Sequence, residues 1–185
     1  MSAPTYGVHR VPSDYINRKL VQTIFHAFDF AKFLGTPLNT YAVLNLRAVD
    51  AERADKVLEA VREKCRRWLK RQRQLAKVDD APPLYVYTLE NPSGNAVHVN
   101  WVLHVPVQFQ EGFRRKLPDW LRKAQGQSAG LYDIDVQSVD PRTDKSLAKY
   151  VLKGTDPAFV PHFHLDDYAE PQGPIHGRRA GAACL

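Results

Sequence analysis

The stretch from Glu90 to Pro106 constrains the fold more than any other part of the sequence. It reads ENPSGNAVHVNWVLHVP, a turn-forming run followed by a long segment in which polar and apolar residues alternate. Successive side chains of a strand point to opposite faces, so His98, Asn100 and His104 are predicted to share one face. The other face is continuously apolar and is predicted to pack on a core, through Val97, Val99, Trp101, Leu103 and Val105.

The polar face of this strand is a candidate metal site. The rise per residue of a strand separates His98 and Asn100 by about 6.6 Å, so an imidazole and an amide can converge on one ion. Glu90 ends the preceding strand and supplies a carboxylate ligand if the hairpin pairs it with His98, whereas a shift of one residue would turn it to the other face. His104 lies about 13 Å beyond Asn100 and is too distant to join. The alternative is a half-buried strand with satisfied polar residues.

Length and charge restrict the class of protein. A chain of 185 residues is long enough to bury a core of its own, so we expect one domain with a core over about residues 38–154 and an irregular extension over 155–185. The net charge of +6 favours a polyanionic partner. No segment approaches the run of about 18 apolar residues that a membrane helix needs, and the N-terminus lacks the apolar region of a signal peptide. Two cysteines do not suggest a disulfide framework, so a cytoplasmic location is expected.

Hydrophobic periodicity predicts the order strand, helix, strand, strand, helix, strand. The strands are expected at 40–49, 84–89, 97–105 and 131–139, with a helix capped by Asp50 and a second helix at about 111–124. Pro118 would divide the second helix if it broke the hydrogen bonding there. An additional helix capped by Ser13 precedes the first strand and runs to about Phe33. The pattern predicts an α+β, ferredoxin-like (RRM-like) palm, in which an antiparallel sheet has helices on one face and an open face bearing Asn45, Arg47, His98 and Asn100.

A further short helix between Thr143 and Gly154 carries a tyrosine on its polar side. At about 100° per residue, Tyr150 falls on the same arc as Lys149 and Lys153, opposite the apolar arc. A helix tyrosine that merely packs on a core is expected on the apolar side. The position of Tyr150 between two ammonium groups therefore makes it a candidate nucleophile.

These pieces predict a phosphoryl-transfer site. Imidazole, amide and carboxylate ligands suit Mn²⁺ or Mg²⁺ and leave positions free for a phosphate oxygen. The Tyr150 hydroxyl could attack that phosphorus, with Lys149 or Lys153 easing its deprotonation. Single-stranded nucleic acid would be held on the open sheet face by phosphate contacts and stacking. The residues expected to hold it are Tyr41, Asn45 and Arg47.

In combination, these motifs resemble those of the HUH endonucleases, and among them the single-tyrosine initiators of rolling-circle replication in plasmids and small DNA viruses. The strand over 38–46 resembles the opening motif of the family, His98-Val-Asn100 with Glu90 resembles the metal motif, and Tyr150-Val-Leu-Lys153 matches the Tyr-x-x-Lys motif. The resemblance covers roughly residues 38–154. It implies metal-dependent nicking of one DNA strand through a 5′-phosphotyrosyl intermediate. Asn100 departs from the family, which usually has His there, or Gln in some viral members.

Three alternatives stay open at this point. Pro161-His162-Phe-His164 is a closer literal match to a His-hydrophobic-His motif, but its flanks do not form a long alternating strand. The same strand order also builds RNA-recognition modules, which bind single-stranded nucleic acid without cleaving it. Asn100 makes a degenerate nuclease fold that only binds DNA a third interpretation. No helicase domain follows, which favours a plasmid-type initiator or a transposase-like nuclease over a viral replicase.

Overall fold

One antiparallel sheet of five strands forms the centre of the protein. The structure, a computed structural model, describes residues 13–46, 49, 53–78, 84–92, 96–127, 130, 132–175 and 179–184. The strands are β1 Thr40–Leu46, β2 Leu84–Glu90, β3 Val97–Leu103, β4 Ile134–Ser138 and β5 Ala180–Cys184. The helices are α1 Arg18–Phe33, α2 Ala54–Ala76, α3 Gln110–Gln125 and α4 Asp144–Val151. The sheet order β4-β1-β3-β2-β5 makes the protein α+β and is compatible with a ferredoxin-like palm, extended by β5 on one edge.

Helices α2 and α3 cover one face of the sheet, as the helical spacing of their apolar residues predicts. The buried residues of α2 include Val57, Val61, Cys65 and Leu69, which recur every three or four positions. Trp101 of β3 is fully buried beneath them. Helix α3 contributes the predicted set of Phe113, Leu117, Trp120 and Leu121. It is continuous through Pro118, so the helix is not divided there.

The prediction that helices cover only one face is wrong. Helix α1 and the apolar side of α4 pack on the opposite face, where Ile24, Phe28 and Val151 are buried together with Val86 and Val102 of the sheet. This second layer is explained by the apolar residues of β2 and β3 that face it. Val86 and Val102 pair directly across the ladder, and burying their side chains away from water is favourable. The sheet therefore has two cores, and the face bearing the candidate metal residues is enclosed along part of its area.

The start of α1 also differs from the prediction. Asn17, and not Ser13, is the N-cap, because its side chain accepts a hydrogen bond from the backbone N–H of Leu20 at 3.0 Å. Ser13 and Ile16 instead make isolated bridges with later parts of the chain. The predicted positions of Asp50 and Leu131 lie outside the described residues.

A fifth strand lies within the segment predicted to be irregular. β5 pairs with β2, Thr88 opposite Ala180 and Tyr87 opposite Gly181. Its run of small residues lacks the apolar–polar alternation that signals a strand. The small residues are needed because a Cβ at Gly181 would lie 2.9 Å from Cε1 of the buried Tyr87 ring. Close packing against a neighbouring strand, and not local propensity, produces this element.

The helices are short or amphipathic. Within the described ranges, no helix combines the length and the hydropathy that crossing a membrane requires.

Candidate functional site

The register of the central hairpin brings the three predicted metal ligands onto one face. Glu90 pairs with His98 across β2 and β3, which is the register that the carboxylate needs to face the same way as the imidazole and Asn100. On the other side of β3, β1 places Asn45 opposite His98. The side chains of these residues consequently meet on the face that α4 partly covers.

Glu90 is the centre of this cluster. Its side chain is 8% exposed, and its two oxygens have separate partners. Oε1 accepts from Asn100 Nδ2 at 2.5 Å, and Oε2 lies 3.1 Å from Lys153 Nζ. Burial raises the pKa of Glu90, although Lys153, Asn100 and His98 act in the opposite direction. Burial also lowers the pKa of Lys153, but the Glu90 carboxylate outweighs it, so the net shift of that pKa is upward. The two groups form a desolvated ion pair.

Asn100 is oriented by its neighbours. A carboxylate only accepts hydrogen bonds, so the amide nitrogen must face Glu90 and the amide oxygen must face away. That oxygen accepts from the Tyr41 hydroxyl at 2.5 Å. Burial, then the proximity of Tyr150 and Glu90, raises the pKa of Tyr41, which keeps this hydroxyl a neutral donor. In this arrangement Asn100 holds the carboxylate in place, and its oxygen would have to leave Tyr41 to bind a cation.

His98 is held in one tautomer. Asn45 donates through Nδ2 to the backbone oxygen of Tyr132 at 2.9 Å, which directs its own oxygen to His98 Nδ1 at 2.6 Å. Nδ1 must then carry the proton and donate, since the amide oxygen only accepts. Nε2 keeps its lone pair, which is the state of a metal-binding imidazole.

The donor chemistry fits a divalent cation in part. Glu90 provides a carboxylate, and His98 provides an imidazole nitrogen with its lone pair free, both typical ligands of Mn²⁺. The predicted third ligand, Asn100, presents its nitrogen to the carboxylate. In the structure, Glu90 and His98 are paired across the ladder on one face, and Asn100 positions the carboxylate.

Helix α4 places the predicted nucleophile next to this cluster. Tyr150 is 41% exposed, and its ring meets the Tyr41 ring edge-on with centroids 6.3 Å apart. Lys153 Nζ lies 4.9 Å from the centroid of the Tyr150 ring while it contacts Glu90. The predicted arcs of α4 are confirmed, since its apolar side is buried in the sheet. Lys149 is half-buried on the same helix and makes no ion pair with any described residue.

Two of the three residues predicted to hold nucleic acid have partners within the protein. Tyr41 is only 8% exposed and bonds to Asn100, so its ring is not available for stacking on a base. Asn45 orients His98, and Arg47 lies outside the described residues. The aromatic side chain at the rim is Tyr132, which is 78% exposed and bonds to Asn45 through its backbone oxygen. Sequence reasoning missed Tyr132 as a candidate contact because it assigned this residue to a strand over 131–139, whereas β4 begins only at Ile134 and Tyr132 lies in the turn before it.

The alternative histidine motif lies elsewhere. His162 and His164 are exposed on the 3₁₀ turn Pro161–Phe163 and its end, and the His162 ring contacts Phe163. No strand holds these two imidazoles in a fixed relation. Of the two candidate metal motifs, only the one on the central hairpin has its side chains held by a strand.

Comparison with protein-family models finds no match, and comparisons with curated proteins and with solved structures find none either.

Proposed function

We propose that the protein is a metal-dependent, HUH-type endonuclease with a ferredoxin-like palm, which nicks single-stranded DNA and initiates rolling-circle replication of a plasmid or mobile element. One observation carries the proposal. Helix α4 and the turn that follows it bring the hydroxyl-bearing Tyr150 and the ammonium of Lys153 to the face on which Glu90 and His98 are paired. A nucleophile, a positive charge and a candidate cation site are the parts that phosphoryl transfer to tyrosine requires.

The chemistry follows from these parts. The Tyr150 oxygen attacks a backbone phosphorus, the bond to the 3′ oxygen breaks, and the products are a 5′-phosphotyrosyl linkage and a free 3′-OH. A tyrosine hydroxyl has an ordinary pKa of about 10, so nearby positive charge favours the ionised nucleophile. Lys153 supplies that charge from beside the Tyr150 ring. Mn²⁺ or Mg²⁺ bound by Glu90 and His98 would polarise the phosphate and offset the charge that develops on it.

A second candidate function has its own support. The Asn100 oxygen is engaged by Tyr41, and Lys153 already neutralises Glu90, so the cluster is internally satisfied. A site of this kind is also what a nuclease fold kept only for binding would show. The second candidate is therefore a non-catalytic module that binds single-stranded nucleic acid.

A nicking assay separates the two candidates. The protein is incubated with a pool of single-stranded DNA sequences and Mn²⁺, and products are resolved on a denaturing gel. We expect cleavage of a subset of sequences together with a protein–DNA adduct that survives denaturation. Retention of DNA without cleavage or adduct, with Mn²⁺ or Mg²⁺, would favour the binding module.

Replacement of the imidazole tests the cation site. His98→Ala removes Nε2, the ring nitrogen opposite the Asn45 contact, so calorimetry with Mn²⁺ should show binding lost. His162→Ala is the matched control, because that imidazole is exposed on the 3₁₀ turn. Loss of binding in His162→Ala with retention in His98→Ala would show that the site assignment is wrong.

Replacement of the rim aromatic tests the DNA contact. Tyr132→Ala removes a ring that is 78% exposed beside the site, and we expect affinity for single-stranded DNA to fall about 5- to 150-fold, the equivalent of one stacked base. Phe33→Ala, at a ring 83% exposed on α1, should leave affinity nearly unchanged. Fluorescence anisotropy with a labelled oligonucleotide measures both variants. Equal losses in the two variants would contradict a specific contact at Tyr132.

A further inference from the structure

The Glu90 carboxylate already has a cation of its own. Lys153 Nζ contacts Oε2 at 3.1 Å, and the lysine side chain is 16% exposed, so the pair lies largely out of water. Asn100 donates to the other oxygen at 2.5 Å. The carboxylate charge is therefore neutralised within the protein before any metal ion arrives.

We infer that Lys153 is an internal competitor for divalent cations at Glu90, so that a metal ion binds there only by displacing the lysine ammonium. The inference rests on the cation site of the proposed function and adds to it a control that the protein exerts on metal loading.

Charge provides the physical reason. A divalent ion on Glu90 and an ammonium at hydrogen-bonding distance from the same carboxylate repel each other strongly where water is largely excluded. The affinity that is measured is the intrinsic affinity reduced by the fraction of molecules in which Lys153 has left Glu90. Since a desolvated, hydrogen-bonded ion pair is the dominant arrangement, that fraction is small.

The displaced ammonium keeps a partner that it already contacts. In the position in which it meets Glu90, Lys153 Nζ also lies 4.9 Å from the centroid of the Tyr150 ring, and Tyr150 is 41% exposed. An ammonium over an aromatic face is stabilised there by the ring quadrupole. Release from Glu90 would leave the Tyr150 ring as the partner of the lysine ammonium.

The test is Mn²⁺ calorimetry without DNA on Lys153→Gln. We expect the variant to bind Mn²⁺ about tenfold more tightly than the wild type, because the competing charge is gone. Lys149→Gln is the matched control, since it removes the same charge four residues earlier, at a residue of α4 that makes no ion pair with Glu90. It should bind Mn²⁺ like the wild type. Lys153→Arg, which keeps a cation on Glu90, should also remain close to the wild type.

A measurement on the unaltered protein covers the case in which Lys153→Gln does not fold. Reductive methylation followed by peptide mass spectrometry reports how accessible each lysine is. Saturating Mn²⁺ should increase modification of Lys153, which is 16% exposed in its pair with Glu90, and leave Lys149 unchanged. Unaltered labelling of Lys153 would overturn the inference.

The outcomes separate this inference from the proposed function. Tighter Mn²⁺ binding by Lys153→Gln supports the competition even if no DNA is ever nicked. Equal or weaker binding by a folded Lys153→Gln variant overturns the competition, and nicking by the wild type would still support the endonuclease. Absence of Mn²⁺ binding in both proteins overturns it as well.

Discussion

Tyr150→Phe should abolish nicking and the covalent protein–DNA adduct together. The change removes one oxygen from a side chain that is 41% exposed, so the fold and the affinity for single-stranded DNA should be nearly unchanged. The ring remains in place against Tyr41 and Lys153. Only the oxygen that we propose attacks phosphorus is lost, and a phenyl ring cannot form that bond. Denaturing gels and anisotropy measure the two properties separately.

Tyr168→Phe is the control for this experiment, because it removes a phenol oxygen from a half-buried tyrosine outside the cluster. It should nick at the wild-type rate. Mass spectrometry of the trapped adduct locates the linkage directly on a tryptic peptide. A nucleotide attached to a peptide with Tyr132 or Tyr168 and without Tyr150 would refute the assigned nucleophile.

Arg179→Met should cause the largest loss of stability among the changes considered. Arg179 is 2% exposed, and its guanidinium donates to the backbone oxygens of Ser13, Leu89 and Gly173. These oxygens belong to the segment before α1, the end of β2 and the segment before β5. Methionine fills similar space but donates nothing. The Ser13 oxygen keeps the N–H of Ile175 as a donor, so the loss falls on the Leu89 and Gly173 oxygens. Since an unsatisfied buried acceptor costs about 1–3 kcal/mol, we expect the free energy of unfolding to fall by at least about 2 kcal/mol.

Urea unfolding followed by circular dichroism measures this loss. Arg142→Met is the matched control, because that guanidinium pairs with Asp140 at the surface with its side chain 89% exposed. Exposed ion pairs contribute little, so its unfolding midpoint should hardly move. Burial lowers the pKa of Arg179 to about 10, so at pH 7 the buried guanidinium is protonated and the comparison tests the charged donor. Equal midpoints for Arg179→Met and the wild type would contradict the role of Arg179.

The central hairpin shows which features of the fold can be predicted from local sequence patterns. Alternation over Val97–Leu103 identifies the strand and its apolar face, because side chains of a strand point to each face in turn. The buried stripe of α2 follows in the same way from helical spacing. The pairing of Glu90 with His98 was conditional on register, which the turn residues between them do not specify. The sheet as a whole disfavours a shift of one residue, since that shift would exchange the two faces of β2 and move Glu90 into the core beneath α2 and α3.

Local sequence patterns are enough to predict the order of β1 to β4, the faces of α2 to α4 and the set of residues from which the candidate site is built. Four features appear only in the folded protein: α1 covers the second face, 180–184 forms β5, Tyr41 is buried on Asn100, and Lys153 reaches Glu90. The difference follows from separation along the chain. Periodicity is set by neighbouring residues. The contacts of the site join residues much further apart along the chain, such as Tyr41 and Asn100, which are separated by 59 positions. The packing of the whole core determines which of these residues meet.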